Sequence, residues 1–303
     1  MKKFSILITT YNRLNEIKIT LDKICHLIER KDVECIICDD ASTDGTYNYI
    51  EKNYKNVKLI KNSTNKGLIY SRNQLLAITN AKYAISLDDD ANFVTINTLE
   101  IIENYFYTNK AVGVISFRVF WGTLLPKNTV SIETSKRVKG FVGCGHVWRM
   151  EAWKSIPSYP YWFQFYGEED FAAFHLFRKG WHIHYVPEIL VQHRVNLKKR
   201  RKAKDYLWRL RRSLRSGWYL YFLFYPVKLI PKKMTYTLWM QLKLKVFKGE
   251  FKVVVPLLLA IFDVCINFPR LVKNAYRLSD EEYLKYQQLP NTVYYWKPEI
   301  MDN

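Results

Sequence analysis

The sequence has few of the features that define secreted, disulfide-bonded or membrane-spanning chains. Its five cysteines are odd in number, and only Cys35 and Cys38 have the spacing of a redox or zinc pair. They flank two isoleucines in an apolar run, where a buried free cysteine acts as a small hydrophobic residue. We therefore expect reduced cysteines without a redox or metal role, as is usual in the cytosol.

Long apolar runs and repeats are also missing from the sequence. The N-terminal apolar stretch, Phe4 to Ile8, is too short for a secretion signal. The most apolar later segments, Trp218 to Ile230 and Val253 to Ile266, contain prolines and charges, and both are shorter than the roughly 18 residues of a spanning helix. The sequence therefore predicts neither a cleaved signal nor a transmembrane helix.

Acidic residues are scarce relative to basic ones. The 28 Asp and Glu residues against 47 Lys and Arg give a formal net charge of +19. Such a charge favours anionic partners, which include nucleic acids, nucleotides and acidic lipid surfaces, and it does not choose among them. Hydrophobic residues make up 49% of the chain, which excludes a disordered protein. The 303 residues suffice for one large domain and a smaller one.

Short apolar runs alternate with segments of helical periodicity through the first 117 residues. Apolar residues recur at helical spacing from Leu14 to Ile28, and Gly67 to Asn80 and Val94 to Tyr107 are similar in length. The predicted strands are Phe4 to Thr9, Val33 to Cys38, Val57 to Lys61, Tyr83 to Leu87 and Ala111 to Phe117. This alternation predicts an α/β domain with a parallel sheet covered by helices on both faces.

Polar clusters follow three of these strands, at the carboxyl edge where such sheets bind ligands. Thr9 to Arg13 follows the first strand, Asp39 to Thr46 the second, and Asp88 to Asp90 the fourth. The aspartate triplet suits a hard divalent cation, Mg²⁺ or Mn²⁺, that would bind a nucleotide diphosphate. A solvated acidic turn before the next helix is the alternative.

The Asp39 to Thr46 stretch also has two interpretations. Ser42, Thr43 or Asp44 can cap a helix, since each accepts hydrogen bonds from backbone N–H groups. Capping does not require two aspartates directly after a buried strand. A carboxylate at that position can accept a hydrogen bond from a nucleobase N–H.

The remainder of the chain divides near Val195 to Lys198. Residues 118–196 carry a glycine-rich stretch, Gly140 to Gly145, a predicted helix from Glu168 to Gly180 and a strand from His182 to Val186. We interpret residues 1–117 as a nucleotide-binding half and 118–196 as an acceptor half of one domain. Residues 197–303 form a basic, amphipathic, α-helical region, which is expected to pack on the domain, to lie on anionic lipid, or both.

Several motifs in order carry a family resemblance that covers roughly residues 3 to 195. They are Ile-Leu-Ile-Thr-Thr-Tyr-Asn-Arg at 6–13, Cys-Asp-Asp-Ala-Ser-Thr-Asp-Gly-Thr at 38–46, Asn65-Lys66-Gly67 to Ser71-Arg72-Asn73, and Leu87-Asp88-Asp89-Asp90. The sequence resembles glycosyltransferase family 2, and within it bacterial enzymes of polysaccharide and lipid-linked glycan synthesis. The resemblance implies a Rossmann-like GT-A fold and inverting transfer of a sugar from a nucleoside diphosphate to an acceptor hydroxyl.

The resemblance also implies where the donor and the metal bind. Asp40 would face the base and Arg72 the base or the diphosphate. Asp88 and Asp90 occupy the outer positions of the Asp-x-Asp motif, which meets ribose and metal, but which two of the three aspartates bind the cation stays open. The implied donor residues are Thr9, Tyr11, Asp40, Arg72, Asp88 and Asp89, and the implied ligands of Mn²⁺ or Mg²⁺ are Asp88, Asp90 and His193. A lone histidine is otherwise a satisfied core or surface group.

The acceptor side depends on the Glu-Asp pair that opens the predicted helix. By resemblance, Asp170 is the general base that removes the proton of the acceptor hydroxyl, while Glu169 orients the acceptor and Gly143 lies in the loop near both sugars. The plain alternative is that acids in a first turn favour the helix dipole.

Two other functions remain as alternatives at this stage. A nucleic-acid-binding protein would use the basic, aromatic tail, but the sheet edge where a ligand should bind is acidic, so we expect no nucleic acid. An inactive nucleotide-sugar scaffold would lack an acid at position 170. The expected partners are a UDP- or dTDP-linked sugar, a glycan or lipid-linked acceptor, and the inner face of the plasma membrane, contacted by residues 198–276 of a peripheral cytoplasmic enzyme.

Overall fold

The computed structural model describes residues 2–196 and 205–298. Within them the strands are β1 Phe4–Thr10, β2 Val33–Asp39, β3 Val57–Lys61, β4 Tyr83–Asp88, β5 Ala91–Phe93, β6 Val112–Trp121, β7 Lys136–Val138, β8 Gly145–Arg149 and β9 His182–His193. The α-helices are α1 Leu14–Ile28, α2 Thr46–Asn53, α3 Leu68–Ile78, α4 Thr98–Thr108, α5 Met150–Lys154, α6 Glu168–Arg178, α7 Tyr206–Phe224, α8 Ile230–Leu244, α9 Val254–Lys273 and α10 Asp280–Gln288.

The strands form one sheet in the order β3-β2-β1-β4-β8-β6-β9-β5, with β7 paired to β9. The five strands predicted from the sequence run in one direction, as expected. However, β8 lies antiparallel between β4 and β6, and β5 and β7 are antiparallel to β9. The sheet is therefore mixed rather than purely parallel, because the chain returns from the long loop after β6 in the opposite direction.

Both faces of the sheet are buried, because successive strand residues point to opposite sides. In β1, Ile6 and Ile8 join the apolar residues of α1, whereas Leu7 faces the other core. In β2, Cys38 and Cys35 likewise lie in opposite cores and are free thiols. Burial raises the pKa of Cys35 to about 12, which disfavours the reactive thiolate.

The predicted helix from Val94 to Tyr107 begins later than expected, which is a correction. Residues 91–93 first form β5, in which Phe93 pairs with Val191, and α4 starts only at Thr98. The predicted strand from His182 to Val186 is also longer, since β9 continues to His193. Both differences arise from strand pairing between distant segments, which brings His193 next to the end of β4.

The C-terminal region packs on the α/β domain. Trp218 and Phe224 of α7 lie in the same core as Trp148 and Phe174, and Phe174 stacks on Phe224 with ring centroids 4.7 Å apart. The predicted boundary at Val195 to Lys198 lies partly in residues 197–204, which are outside the described residues. The start of the basic segment also lies there.

Helix α9 is longer than the apolar segment expected from Val253 to Ile266, which corrects the expected length. Together with the preceding 3₁₀ turn it covers Phe251–Lys273, which is 23 residues. Its most apolar window of 18 residues has a mean hydropathy of 2.1, and 28% of that window is buried. By length and composition it is long and apolar enough to cross a membrane. Pro256 does not interrupt it because a proline is tolerated in a first turn, and Asp263 does not because it forms an ion pair with Arg211.

Candidate active site

The ends of β1, β2 and β4 lie side by side and bring the predicted donor residues together. Thr9 is opposite Cys38 in β2 and opposite Asp88 in β4. Tyr11 follows β1 and is 45% exposed, so its ring faces solvent at the same edge. The predicted convergence of the polar clusters on one edge therefore holds for Thr9, Tyr11 and Asp88, while their contact with a donor stays a prediction.

Asp40 is buried beneath the turn that leads into α3. Its carboxylate accepts hydrogen bonds from the backbone N–H groups of Lys66 and Gly67, both at 2.8 Å, and from the Asn62 side chain at 2.7 Å. These contacts tie two predicted motifs together. A carboxylate has about four acceptor sites, so three bonds leave room for one more donor, and the role of Asp40 toward a base stays a prediction.

The aspartates at 88–90 diverge, and this separates their possible roles. Ligand atoms of Asp88, Asp90 and His193 all lie within 4.8 Å of one another. Asp89 points elsewhere: its carboxylate accepts a hydrogen bond from Thr10 at 2.9 Å and forms an ion pair with Arg13 at 3.0 Å. The geometry therefore groups Asp88 and Asp90 with His193, whereas Asp89 contacts the end of β1 and the residues that follow it.

This cluster has the donor set of a transition-metal or magnesium site. Two carboxylates and an imidazole suit Mn²⁺ well, and His193 Nε2 already lies 2.9 Å from Asp90 Oδ1. Burial opposes charge on the ring, but the adjoining Cys144 and Asp90 prevail and raise the pKa of His193 to about 11. The surroundings thus favour positive charge beside the two carboxylates, and the donor set of two carboxylates and an imidazole fits a divalent ion.

Arg72 connects the metal cluster to the acidic helix. Its guanidinium donates to Asp88 at 2.8 Å, to Glu168 at 2.9 Å and to the carbonyl of Gly143 at 3.0 Å, and it lies 3.4 Å from Glu169. It is 6% exposed. A rigid planar fork can satisfy several acceptors at once, so one buried cation fixes three carboxylates.

Gly143 has no room for a side chain. A Cβ atom placed there would overlap Glu169 Oε1 and would lie 2.9 Å from an Arg72 nitrogen. The absence of a side chain thus lets the glycine-rich loop approach the acids of α6. This close approach is the physical reason for the glycine, and its predicted contact with the acceptor remains a prediction.

Asp170 lies in the first turn of α6 with a carboxylate that is available to a ligand. No described side chain donates a hydrogen bond to it, and a Cβ atom placed on Gly140 would lie 3.7 Å from its Oδ1. Burial, with a smaller effect of Glu169, raises its pKa to about 6. A base with a pKa near the working pH is well suited to accept a proton, so the geometry is compatible with the predicted role.

The loop before α6 is held in an unusual conformation. Gln164, Tyr166 and Gly167 have φ angles of 65°, 68° and 89°, and such strain in a non-glycine residue costs about 1 kcal/mol or more. The hydroxyl of Ser216 in α7 donates to the Phe165 carbonyl at 3.2 Å. The C-terminal region therefore helps to fix the start of α6, and with it Asp170.

Tyrosines from the C-terminal region surround Asp170, which the sequence pattern did not predict. Burial, together with the nearby Asp170 carboxylate, raises the pKa of Tyr294 to about 12. Burial, Tyr283 and Asp170, in that order, raise the pKa of Tyr221. Residue 296 returns to the sheet edge, where the Trp296 N–H donates to the Val119 carbonyl. No local signal marks these residues, because their approach depends on the packing of the last helices.

Two further residues near the site were also missed. Arg13 forms ion pairs with Asp89 and Asp90, and its position at the end of the first motif was the available signal. Glu168 is 1% exposed beside Arg72, and burial raises its pKa to about 8. Its place in an acidic first turn suggested only a favourable helix dipole.

The fold and this site have counterparts among known proteins. Residues 5–163 match the model of glycosyl transferase family 2, which is more than half of the chain. The chain belongs to that family, as its motifs predicted. Its fold is that of the GT-A glycosyltransferases, with a helical C-terminal extension.

One relative is the Escherichia coli UDP-Glc:alpha-D-GlcNAc-diphosphoundecaprenol beta-1,3-glucosyltransferase WfaP. The two are 38% identical over 96 residues, which is 31% of this chain and 38% of WfaP. A second curated relative is matched over 34% of its length. The match therefore spans less than two fifths of either relative.

Solved structures support the fold at low sequence identity. The mannosyltransferase PcManGT of Pyrobaculum calidifontis, in complex with GDP-Man and Mn²⁺, is 17% identical with a TM-score of 0.53, over 71% of this chain and 62% of that one. TarS 1-349 of S. aureus, in complex with UDP-GlcNAc, is 19% identical with a TM-score of 0.51, over 73% and 67%.

Proposed function

We propose that this protein is an inverting, metal-dependent glycosyltransferase that moves a hexosyl or deoxyhexosyl group from a nucleoside-diphosphate sugar to an acceptor hydroxyl. The observation that carries the proposal is the Asp170 carboxylate, which receives no hydrogen bond from a described side chain; it directly follows Glu169, which Arg72 links to the cluster of Asp88, Asp90 and His193. A scaffold without catalytic activity would have no need for such a base.

The residues divide the reaction between them. Thr9, Tyr11 and Asp40 bind the nucleoside, and Arg72 holds Asp88 in position while contributing positive charge near the diphosphate. Asp170 accepts the proton of the acceptor hydroxyl as its oxygen attacks the anomeric carbon, and Glu169 orients the acceptor. Attack from the face opposite the nucleotide inverts the configuration, and no covalent enzyme intermediate is formed.

A divalent cation, Mn²⁺ or Mg²⁺, is the proposed cofactor. Asp88, Asp90 and His193 would hold it. When bound, it would stabilise the negative charge that develops on the departing diphosphate.

The proposed donor is a UDP- or dTDP-linked sugar, and the proposed acceptor is a glycan or lipid-linked glycan. By its name, WfaP transfers glucose from UDP-Glc to a GlcNAc that is linked to diphosphoundecaprenol. A carboxylate such as Asp40 accepts the imide N–H of uracil and thymine equally well. The reaction would serve cell-surface polysaccharide synthesis.

The proposed location is the inner face of the plasma membrane, reached peripherally through residues 198–276. Helix α9 packs Ala260 and Val264 on the protein and exposes Leu258, Phe262 and Ile266, each about 60% accessible. A helix with one packed face and one apolar, exposed face suits an interfacial position. Residues 198–204 of this surface lie outside the described residues.

A donor screen tests the proposal. The purified chain is incubated with individual nucleoside-diphosphate sugars and Mn²⁺ or Mg²⁺, and release of free nucleotide and thermal stabilisation are recorded. Stabilisation by one donor, dependent on the cation, is expected. No response to any uridine or thymidine donor, with either metal, would refute the assignment. Asp280→Asn serves as the matched control, because it removes an exposed acid of α10 outside the cluster and the donor residues.

A further inference from the structure

A second cavity lies between the catalytic domain and the C-terminal helices, outside the metal cluster. We call it the basic pocket. Its volume is about 520 Å³, and it is enclosed by the loop at 161–164, by α7 and by α9. The charged residues that line it are Lys66, Arg211, Arg212, Arg215, Arg270 and Asp263. Among the described residues, five cations thus face one acid in a space large enough for a small ligand, and Arg215 is the one cation of the five that is buried.

The single acid does not balance the charge of the basic pocket. Asp263 binds Arg211 through two hydrogen bonds of 2.8 and 2.6 Å, and it lies 4.0 Å from Arg215. Arg215 is 6% exposed, and its Nε has no hydrogen-bond partner among the described residues. Burial and repulsion from Arg215 and Arg211 lower the pKa of Arg212 to about 10. Buried, unbalanced positive charge is unfavourable unless an anion offsets it.

Aromatic rings hold two of these guanidinium groups in place. Arg212 lies 3.4 Å from the ring centre of Trp208, and Arg270 lies 4.7 Å from that of Trp162. Stacking orients the planar group and leaves its N–H edge available. That edge matches phosphate oxygens in a two-point contact. The ligand indicated by these groups is a phosphate or diphosphate.

The surroundings of the basic pocket indicate an amphiphilic ligand. Asp263, Asn267 and Arg270 of α9 line the pocket, whereas Phe262 and Ile266 on the same helix expose their apolar side chains. A phosphate head in the pocket would therefore have its hydrocarbon chain beside an apolar surface. Free phosphate would contact only the charged residues of the pocket and not the apolar surface beside it.

We propose that the basic pocket binds the phosphate or diphosphate head of the lipid-linked acceptor. This inference rests on the proposed function, since it assigns a place to that reaction's acceptor. The wall of the pocket at 161–164 continues directly into the loop that precedes α6. A head group held there would present the attached sugar on the side of the domain that carries Asp170.

Binding to vesicles tests the proposal with the full chain. Phosphatidylcholine vesicles containing a polyprenyl diphosphate are compared with vesicles containing phosphatidylglycerol at equal negative charge. The variant is Arg212→Gln/Arg270→Gln, and the matched control is Lys232→Gln/Lys243→Gln, which removes two exposed charges from α8. Arg215 is left unchanged because its side chain also donates to the Phe163 carbonyl.

The pocket variant should bind the diphosphate vesicles at least about tenfold more weakly, as expected for lost charge-assisted hydrogen bonds, while the control changes little. Inorganic pyrophosphate should compete with the vesicles. Equal losses on both vesicle types, or in both variants, would overturn the proposal in favour of general surface attraction. Binding of pyrophosphate without preference for the diphosphate vesicles would overturn the assignment to a lipid.

A failure of the basic-pocket proposal can be distinguished from a failure of the proposed function. Nucleoside-diphosphate sugar binding is measured on the same variants by thermal stabilisation, and we expect it to be unchanged because neither Arg212 nor Arg270 is among the donor residues. Intact donor binding with unaltered vesicle binding would refute the basic pocket alone. Lost vesicle binding in a protein that binds no donor would refute the proposed function alone.

Discussion

The protonation state of Asp170 should set the rate of transfer below neutral pH. With a pKa of about 6, the carboxylate is about 90% ionised at pH 7 and about 10% ionised at pH 5. The rate at subsaturating acceptor should therefore fall about tenfold per unit below pH 6. Asp170→Asn should remove the base and lower turnover by about 100-fold to 10,000-fold at pH 7.

The same substitution should not destabilise the fold, which separates lost chemistry from lost structure. The pKa of Asp170 is raised from 3.8 to about 6, so the folded protein holds this proton more tightly than the unfolded chain. The contribution to the free energy of unfolding therefore falls as pH rises between about 4 and 6. The Asp170→Asn substitution would remove that penalty, which is at most about 3 kcal/mol and smaller because the carboxylate is only partly buried.

The assay compares nucleotide release, donor affinity and melting temperature for Asp170→Asn and for Asp280→Asn, an exposed acid at the start of α10. The first variant should lose turnover and the acidic limb of the pH profile while retaining donor affinity. Its melting temperature at pH 7 should be unchanged or higher. Retention of more than about one tenth of the turnover, or an unaltered acidic limb, would refute the assignment of Asp170 as the base.

Three further predictions concern residues around the same site. Arg72→Met should lower the free energy of unfolding by about 3–5 kcal/mol in urea titrations, because it leaves buried carboxylates unpaired. Arg72→Lys should recover only part of that stability. Unchanged stability of the methionine variant would argue against Arg72 as the cation that organises these carboxylates. His193→Ala should weaken Mn²⁺ binding, measured by calorimetry, about tenfold or more. Asp89→Asn should lower the stability of the fold with little effect on Mn²⁺ binding. Equal losses of Mn²⁺ binding in the two variants would contradict the separation of Asp89 from the cluster. Gly143→Ala should cost about 1–3 kcal/mol in thermal unfolding, because its Cβ would overlap the Glu169 carboxylate; wild-type stability would show that Glu169 moves freely.

The first half of the fold could be predicted because its signals are local. Strands buried on both faces are continuous apolar runs, and the apolar stripe from Leu14 to Ile28 marks α1. The start of α4 could not be predicted in the same way. Residues 91–93 pair with β9, about one hundred residues later in the sequence, and this pairing overrides the helical pattern that follows Val94.

The sequence predicted which residues form the site, and it did not predict how their side chains are oriented. The aspartates after β4 and the acids of α6 are visible as charged residues at the ends of elements. The separation of Asp89 from Asp90 depends on Thr10 and Arg13, which reach them from the first motif. The tyrosines around Asp170 were not predicted at all, since the packing of α7 and the final segment on the domain has no local signature.

The end of the family match falls between two parts of the proposed site. The family match ends at residue 163, after the aspartates of β4 and before Asp170. Ser216, Tyr221 and Tyr294, which lie near the start of α6 or Asp170, also lie beyond that point. We therefore propose that donor recognition draws mainly on residues inside the match, and that acceptor recognition draws largely on residues beyond it. Exchange of residues 205–298 between family members should accordingly alter acceptor choice and leave nucleotide choice intact.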